Sequence, residues 1–297
     1  MKKYFPPWVQ VLLGGSILFL ILEEALRFTD NPNFFPSLLL IGAFIVPAAF
    51  ITYFYDHVRH REISLPLLTT CFIVGGALGI AAAGVVEYGT LTGGLNIGTL
   101  AGIAVIEESA KMIFPLAMYF TGRYIHEADG LLFGIAAGMG FAALETMGYG
   151  LVVLINSNGN IDTLRQVLLI RGVLSPAGHA AWTGFLAAIL WKQREKAGFP
   201  DFNWKVVLAF FTSVGLHTMW NAVNGMSTDT AGGTAAVVAG NVAVAAVSLL
   251  LVFNRYRDAR KSLAVLPARH GGVKTTLRNW LRSQQARSVP GGCEYRR

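Results

Sequence analysis

Apolar stretches long enough to cross a bilayer recur along this chain, separated by short polar breaks. A hydrocarbon core of roughly 30 Å needs about 20 helical residues. Eight runs meet that length, at about 8–28, 36–56, 65–86, 96–121, 130–155, 167–191, 205–226 and 232–253. Small residues crowd several of them, as in GGALGIAAAG, GIAAGMG and AAVVAGNVAVAA, and such stripes let helix backbones approach where lipid gives no hydrophobic drive for association. The pattern predicts an all-α, polytopic helical membrane protein of about eight transmembrane helices.

Composition agrees. Of 297 residues, 54% are hydrophobic and 14% charged, against about 25% charged in soluble domains, and the mean hydropathy is +0.51. The opening MKKYFPPW and the apolar run after it resemble a signal peptide, but no small-residue cleavage site precedes Glu23 and Glu24, so the run is read as a retained first span. Glu23 and Glu24 fall at its outer end, an interfacial position.

Charge sets the orientation. With the N-terminus, the loops near residues 60, 125 and 198, and the C-terminal tail on one side, that side holds 20 Lys or Arg; the other holds Arg27 and Arg165, and Lys111 and Arg171 lie within spans. Positive residues collect in cytoplasmic loops. The bias predicts a multi-pass protein of the cell membrane, a bacterial inner membrane, with both termini cytoplasmic. Residues 1–253 form the membrane domain, and 254–297 form a flexible basic tail with eleven Lys or Arg and two acids. Anionic membrane lipid is a sufficient partner for it, with TTLRNWLRSQQ as a short interfacial helix; no nucleic-acid partner is expected.

Four spans carry groups foreign to lipid. VIEESAKMIF places Glu107, Glu108 and Lys111 in the fourth, GFAALETMGYG places Glu145 in the fifth, RGVLSPAGHAAWTGF places Arg171 and His179 in the sixth, and GLHTMWNAVNG places His217, Asn221 and Asn224 in the seventh. Each charge at a membrane centre costs roughly 2.5–3.5 kcal/mol on insertion scales. Counted from the non-cytoplasmic ends, the acids and imidazoles lie at one level, roughly 13–18 Å deep. Glu107 and Glu108 share a helix face with Lys111, and His217, Asn221 and Asn224 form one stripe. Spans one to three offer no counterparts. One membrane histidine is commonly just an interhelical hydrogen bond; two at one depth beside three carboxylates point to a site. Three acids against two bases leave one negative charge for a proton, a charged histidine or a metal to balance. Arg171 has a bland reading, as partner of a carboxylate or headgroup, and Trp182 and Trp220 pack the wall.

Taken in order, EESAK, GFAALET, HAAWTG and HTMWN resemble the PrsW family of intramembrane proteases, relatives of the type II CAAX prenyl proteases and the Abi proteins. The motifs run from residue 107 to 221, a core of about 96–226. In two places the chain departs from the wider superfamily: EExxxR becomes EESAKM, with the base at Lys111, and FxxxH becomes SPAGH, with Ser175 for the aromatic. The first departure resembles the PrsW branch rather than the prenyl-protease branch, which weakens a prenylated-substrate reading. The resemblance implies hydrolysis of membrane-anchored, single-span protein substrates, anti-sigma factors among them. It implies that Glu107 with His179 activates water, that His217 and Asn221 bind the oxyanion, and that Glu108 can exchange roles with Glu107. Lys111, Glu145 and Arg171 support. A zinc version stays open, with His179, His217 and Glu145 as ligands and Glu107 as base. The alternative function is a proton- or metal-ion-coupled transporter, because buried Glu and His at one depth also describe an ion path.

Overall fold

The computed structural model describes residues 5–58, 63–90 and 96–265. These residues form eleven helices: α1 Pro7–Thr29, α2 Phe35–Val58, α3 Leu65–Thr70, α4 Gly76–Thr90, α5 Ile97–Lys111, α6 Ile113–Phe120, α7 Glu127–Asn156, α8 Ile161–Leu174, α9 His179–Ala197, α10 Trp204–Asn224 and α11 Ala231–Val265. No strand occurs among the described residues. A π-helical turn at Cys71–Gly75 joins α3 to α4, and a 3₁₀ turn at Ser175–Ala177 joins α8 to α9. Among the described residues, seven continuous helical segments are long and apolar enough to cross a membrane, and their outer faces carry large exposed apolar side chains such as Leu20, Val85, Ile170 and Leu250. The protein is a polytopic helical membrane protein.

The fourth expected span, 96–121, is present but broken at Met112 into α5 and α6. Pro115 explains the break: it has no N–H to donate, and its ring collides with the carbonyl four residues earlier, that of Lys111. The sixth expected span is also divided. Pro176 and Gly178 interrupt it, so His179 does not sit mid-helix but opens α9. The last helix continues past 253 to Val265. The proposed interfacial segment TTLRNWLRSQQ lies outside the described residues.

Helix α7 is the axis of the bundle, buried along most of its length and packed against α2, α4, α8 and α9. Its glycines explain the tightest of these contacts. Gly130, Gly134 and Gly138 recur every four residues, and a Cβ at each would run into the backbone of Ala187, Thr183 and His179 on α9. That close approach fixes the start of α9 against the middle of α7. On the opposite side of α7, Gly140 meets Gly76 at the start of α4 backbone to backbone.

Charges at the ends of the bundle are paired. Glu23, near the end of α1, is buried, 2.8 Å from Arg27 and 3.4 Å from Arg165, while Glu24 is exposed. At another helix end, buried Glu127 lies 3.2 Å from both Lys192 and Arg255, which also hold Asp258 at 2.9 and 3.0 Å.

Candidate active site

The end of α5 builds the first wall. Residues three and four apart share a helix face, so Lys111 reaches back to Glu108 at 2.8 Å and Glu107 at 3.1 Å. The two glutamates then differ. Glu108 is fully buried, its Oε1 also accepts from His217 Nδ1 at 2.9 Å, and its Oε2 accepts from the Thr183 hydroxyl at 3.3 Å. Glu107 instead lines a cavity of about 460 Å³, with Oε2 3.7 Å from His217 Nε2.

The second histidine also has a carboxylate beside it, at ion-pair distance. His179 Nε2 lies 2.9 Å from Glu145 Oε2, and Arg171 reaches that same oxygen at 2.8 Å while its guanidinium lies 3.9 Å from the Tyr149 ring centre. The bland reading of Arg171, as partner of a carboxylate, describes what it does. Each imidazole therefore spends one nitrogen on a carboxylate, and a nitrogen facing a carboxylate carries the proton, which leaves the other with a free lone pair. For His179 that other nitrogen, Nδ1, is buried and has no hydrogen-bond partner among the described residues.

The two rings stand 5.4 Å apart at 89°. Trp182 stacks on His217 at 4.7 Å and is anchored by its Nε1, which donates to Ser248 Oγ at 2.9 Å. One ligand atom each from Glu107, His179 and His217 lies within 4.8 Å of the others, a possible metal site. Glu145, expected as the third ligand, is outside this group of three and lies 2.9 Å from His179 Nε2. Two histidines and one carboxylate suit a catalytic zinc ion with an open position, and the orphaned His179 Nδ1 is an atom such an ion would satisfy.

The cavity also receives Asn221, Asn224 and Trp220 from α10, and Gly178 and His179 at the start of α9. Asn224 exchanges hydrogen bonds with Asn241 of α11 at 3.2 and 3.1 Å. All eight residues singled out as site candidates thus lie around one centre, Glu107, His179, Asn221, Glu145 and Arg171 on its wall and Glu108, Lys111 and His217 directly behind. One residue on the wall was missed: Glu87 of α4. It sits in GVVEYGT, at the edge of an apolar run with no second charged residue to flag it.

A model of the family described as PrsW family intramembrane metalloprotease matches residues 64–253. Protease PrsW of Halalkalibacterium halodurans is 25% identical over 190 residues, 62% of this chain and 82% of that protein. No solved structure matches the chain.

Proposed function

The chain belongs to the PrsW family of intramembrane metalloproteases and is an intramembrane protease; on that premise we propose that it hydrolyses peptide bonds of single-span membrane proteins at the Glu107, His179, His217 cluster, with zinc held by those three side chains. One observation carries this reading. Each histidine has a carboxylate 2.9 Å from one nitrogen, Glu145 at His179 Nε2 and Glu108 at His217 Nδ1, and one nitrogen of each lies within 4.8 Å of the other and of a Glu107 oxygen. Backing of this kind fixes the tautomer and raises the basicity of a metal-ligating imidazole. Without a ligand, the buried Nδ1 of His179 costs about 1–3 kcal/mol of unmet hydrogen bonding.

When bound, the metal supplies Lewis-acid polarisation and a water activated at neutral pH. The chain supplies the rest. Glu108 is a positioning residue, saturated by Lys111, His217 and Thr183, and Lys111 offsets the charge of the adjacent glutamates. Glu145 and Arg171 hold His179. The Asn221 amide, on the cavity wall, donates to the oxyanion as it develops, and the start of α9 brings the positive end of its helix dipole to the same space.

The substrate class is a single-span membrane protein of the anti-sigma type, cut near its extracytoplasmic side, in a protein set in the bacterial cell membrane with both termini cytoplasmic. The excess of basic residues on one side supports that orientation. The pairing of Arg27 with Asp162 at 2.6 Å puts the end of α1 and the start of α8 on one side of the bundle, as the alternation of spans requires, whichever side is cytoplasmic. The transporter alternative draws no support from the relatives found.

The test uses purified full-length protein in liposomes with a panel of single-span fusions tagged on both sides. Wild type cleaves one or more of them; chelation stops cleavage and zinc restores it; Glu107→Ala, His179→Ala and His217→Ala are inactive and bind no zinc. Cleavage unaffected by all three changes removes this assignment.

A further inference from the structure

Helix α4 carries no part of the motif set, yet it delivers a carboxylate to the cavity. Gly76, Gly79, Ala83 and Glu87 are spaced three, four and four residues apart, so they share one face. Along that face Gly76 touches the Gly140 backbone, Gly79 faces the Phe141 ring, and Ala83 is buried with Ala110 and Phe141. One more turn brings Glu87 to the cavity wall, while Val85 and Tyr88 on either side are 74% and 92% exposed toward lipid. The small residues set the distance at which α4 lies, and the helical repeat aims Glu87 inward.

Glu87 differs from the other acids around this centre. Glu107 is on Lys111 and in the candidate metal set, Glu108 is saturated, and Glu145 is on Arg171 and His179. No cation lies within ion-pair distance of Glu87 among the described residues, and its Oε1 is buried without a hydrogen-bond partner. Such an oxygen is costly until a water or a proton meets it. If Glu107 holds the metal, the motif residues also leave no carboxylate free to take a proton. The vacancy in the chemistry and the unpartnered oxygen coincide in one cavity.

We propose that Glu87 is the general base and acid of the hydrolysis. Its carboxylate takes a proton from the attacking water as the water oxygen bonds to the scissile carbonyl carbon. It returns that proton to the amide nitrogen as the C–N bond breaks, so one water is consumed and a carboxyl and an amine are released. This inference rests on the reading of Glu107, His179 and His217 as the metal-holding set.

The experiment keeps the two apart by measuring zinc content and cleavage separately, on full-length protein in liposomes with a tagged single-span fusion that wild type cuts. Glu87→Gln, nearly isosteric, lowers kcat by about 10²–10⁴-fold, the usual range for a lost acid–base group, with KM and zinc content unchanged. Glu87→Asp recovers part of the rate, and added formate restores turnover to Glu87→Ala, which a packing role would not allow. A Glu87→Gln protein with wild-type kcat, or one stripped of zinc, overturns the proposal. Glu107→Gln that keeps its zinc but loses activity would instead overturn the metal-set reading and make Glu107 the base.

Discussion

Two of the buried charged clusters in this bundle are built on opposite plans. Around Glu127, two acids meet two bases: Lys192 and Arg255 each contact both Glu127 and Asp258 at 2.9–3.2 Å. Around Glu107, four acids, Glu87, Glu107, Glu108 and Glu145, meet only Lys111 and Arg171, and two histidines share the remainder. Burial does not separate the two, because Glu127 is as inaccessible as Glu108. Charge balance does. A closed cluster has little left to offer a ligand, whereas an acid-rich one against a cavity retains capacity for a metal, a proton or a substrate.

Removal of one ligand should break the comparison most sharply. His179→Ala takes away a nitrogen at the open cluster without disturbing the Lys111 pair, and several kcal/mol of transition-state stabilisation go with the metal, about 10³-fold or more in rate. Thermal stability in detergent should stay close to wild type. A large loss of stability with turnover intact per folded molecule would mean that both clusters are structural.

Glu127→Gln should do the reverse. Lys192 and Arg255 would keep Asp258 but lose their buried partner, and breaking a fully buried pair costs roughly 3–5 kcal/mol. The cost here falls toward the lower end, because the two cations keep some contact with water. A lower melting temperature with unchanged kcat per folded molecule is expected. A fall in kcat as deep as that of His179→Ala would erase the distinction.

Glu145→Gln ranks next. The change leaves the donor set whole and removes only the carboxylate behind His179, and loss of such a partner typically costs 10–100-fold in metal affinity or activity. Zinc titration beside kinetics checks it. An effect equal to that of His179→Ala would make Glu145 a ligand itself, as the sequence reading had it.

Local spacing made much of this cluster legible. Glu107, Glu108 and Lys111 are one turn apart and had to meet, and Arg171 needed an acid. Three things were not legible. Adjacent glutamates both within reach of Lys111 cannot be told apart until the packing of α9 and α10 decides which one meets His217 and Thr183. The site break in α8 and α9 was written as Pro176 and Gly178, but span length alone runs straight through it. Glu87 is placed by the fit of α4 against Gly140 and Phe141, a tertiary fact that GVVEYGT does not carry.

Asp258→Asn gives the smallest effect and the finest test of the comparison. Its side chain is 37% exposed against 2% for Glu127, so water and ions screen its attraction to Lys192 and Arg255, and exposed pairs contribute about 0–1 kcal/mol. Both cations still hold Glu127 after the change, and no buried charge is orphaned. Stability should fall by less than about 1 kcal/mol with turnover untouched. Within the closed cluster, then, effect follows burial: Glu127 matters and Asp258 hardly does. Within the open cluster it should not, because partly exposed His179 is expected to matter most of all. If Asp258→Asn cost as much as Glu127→Gln, the closed cluster would be a cooperative unit rather than a set of screened pairs, and charge balance would mark the two clusters apart for a different reason.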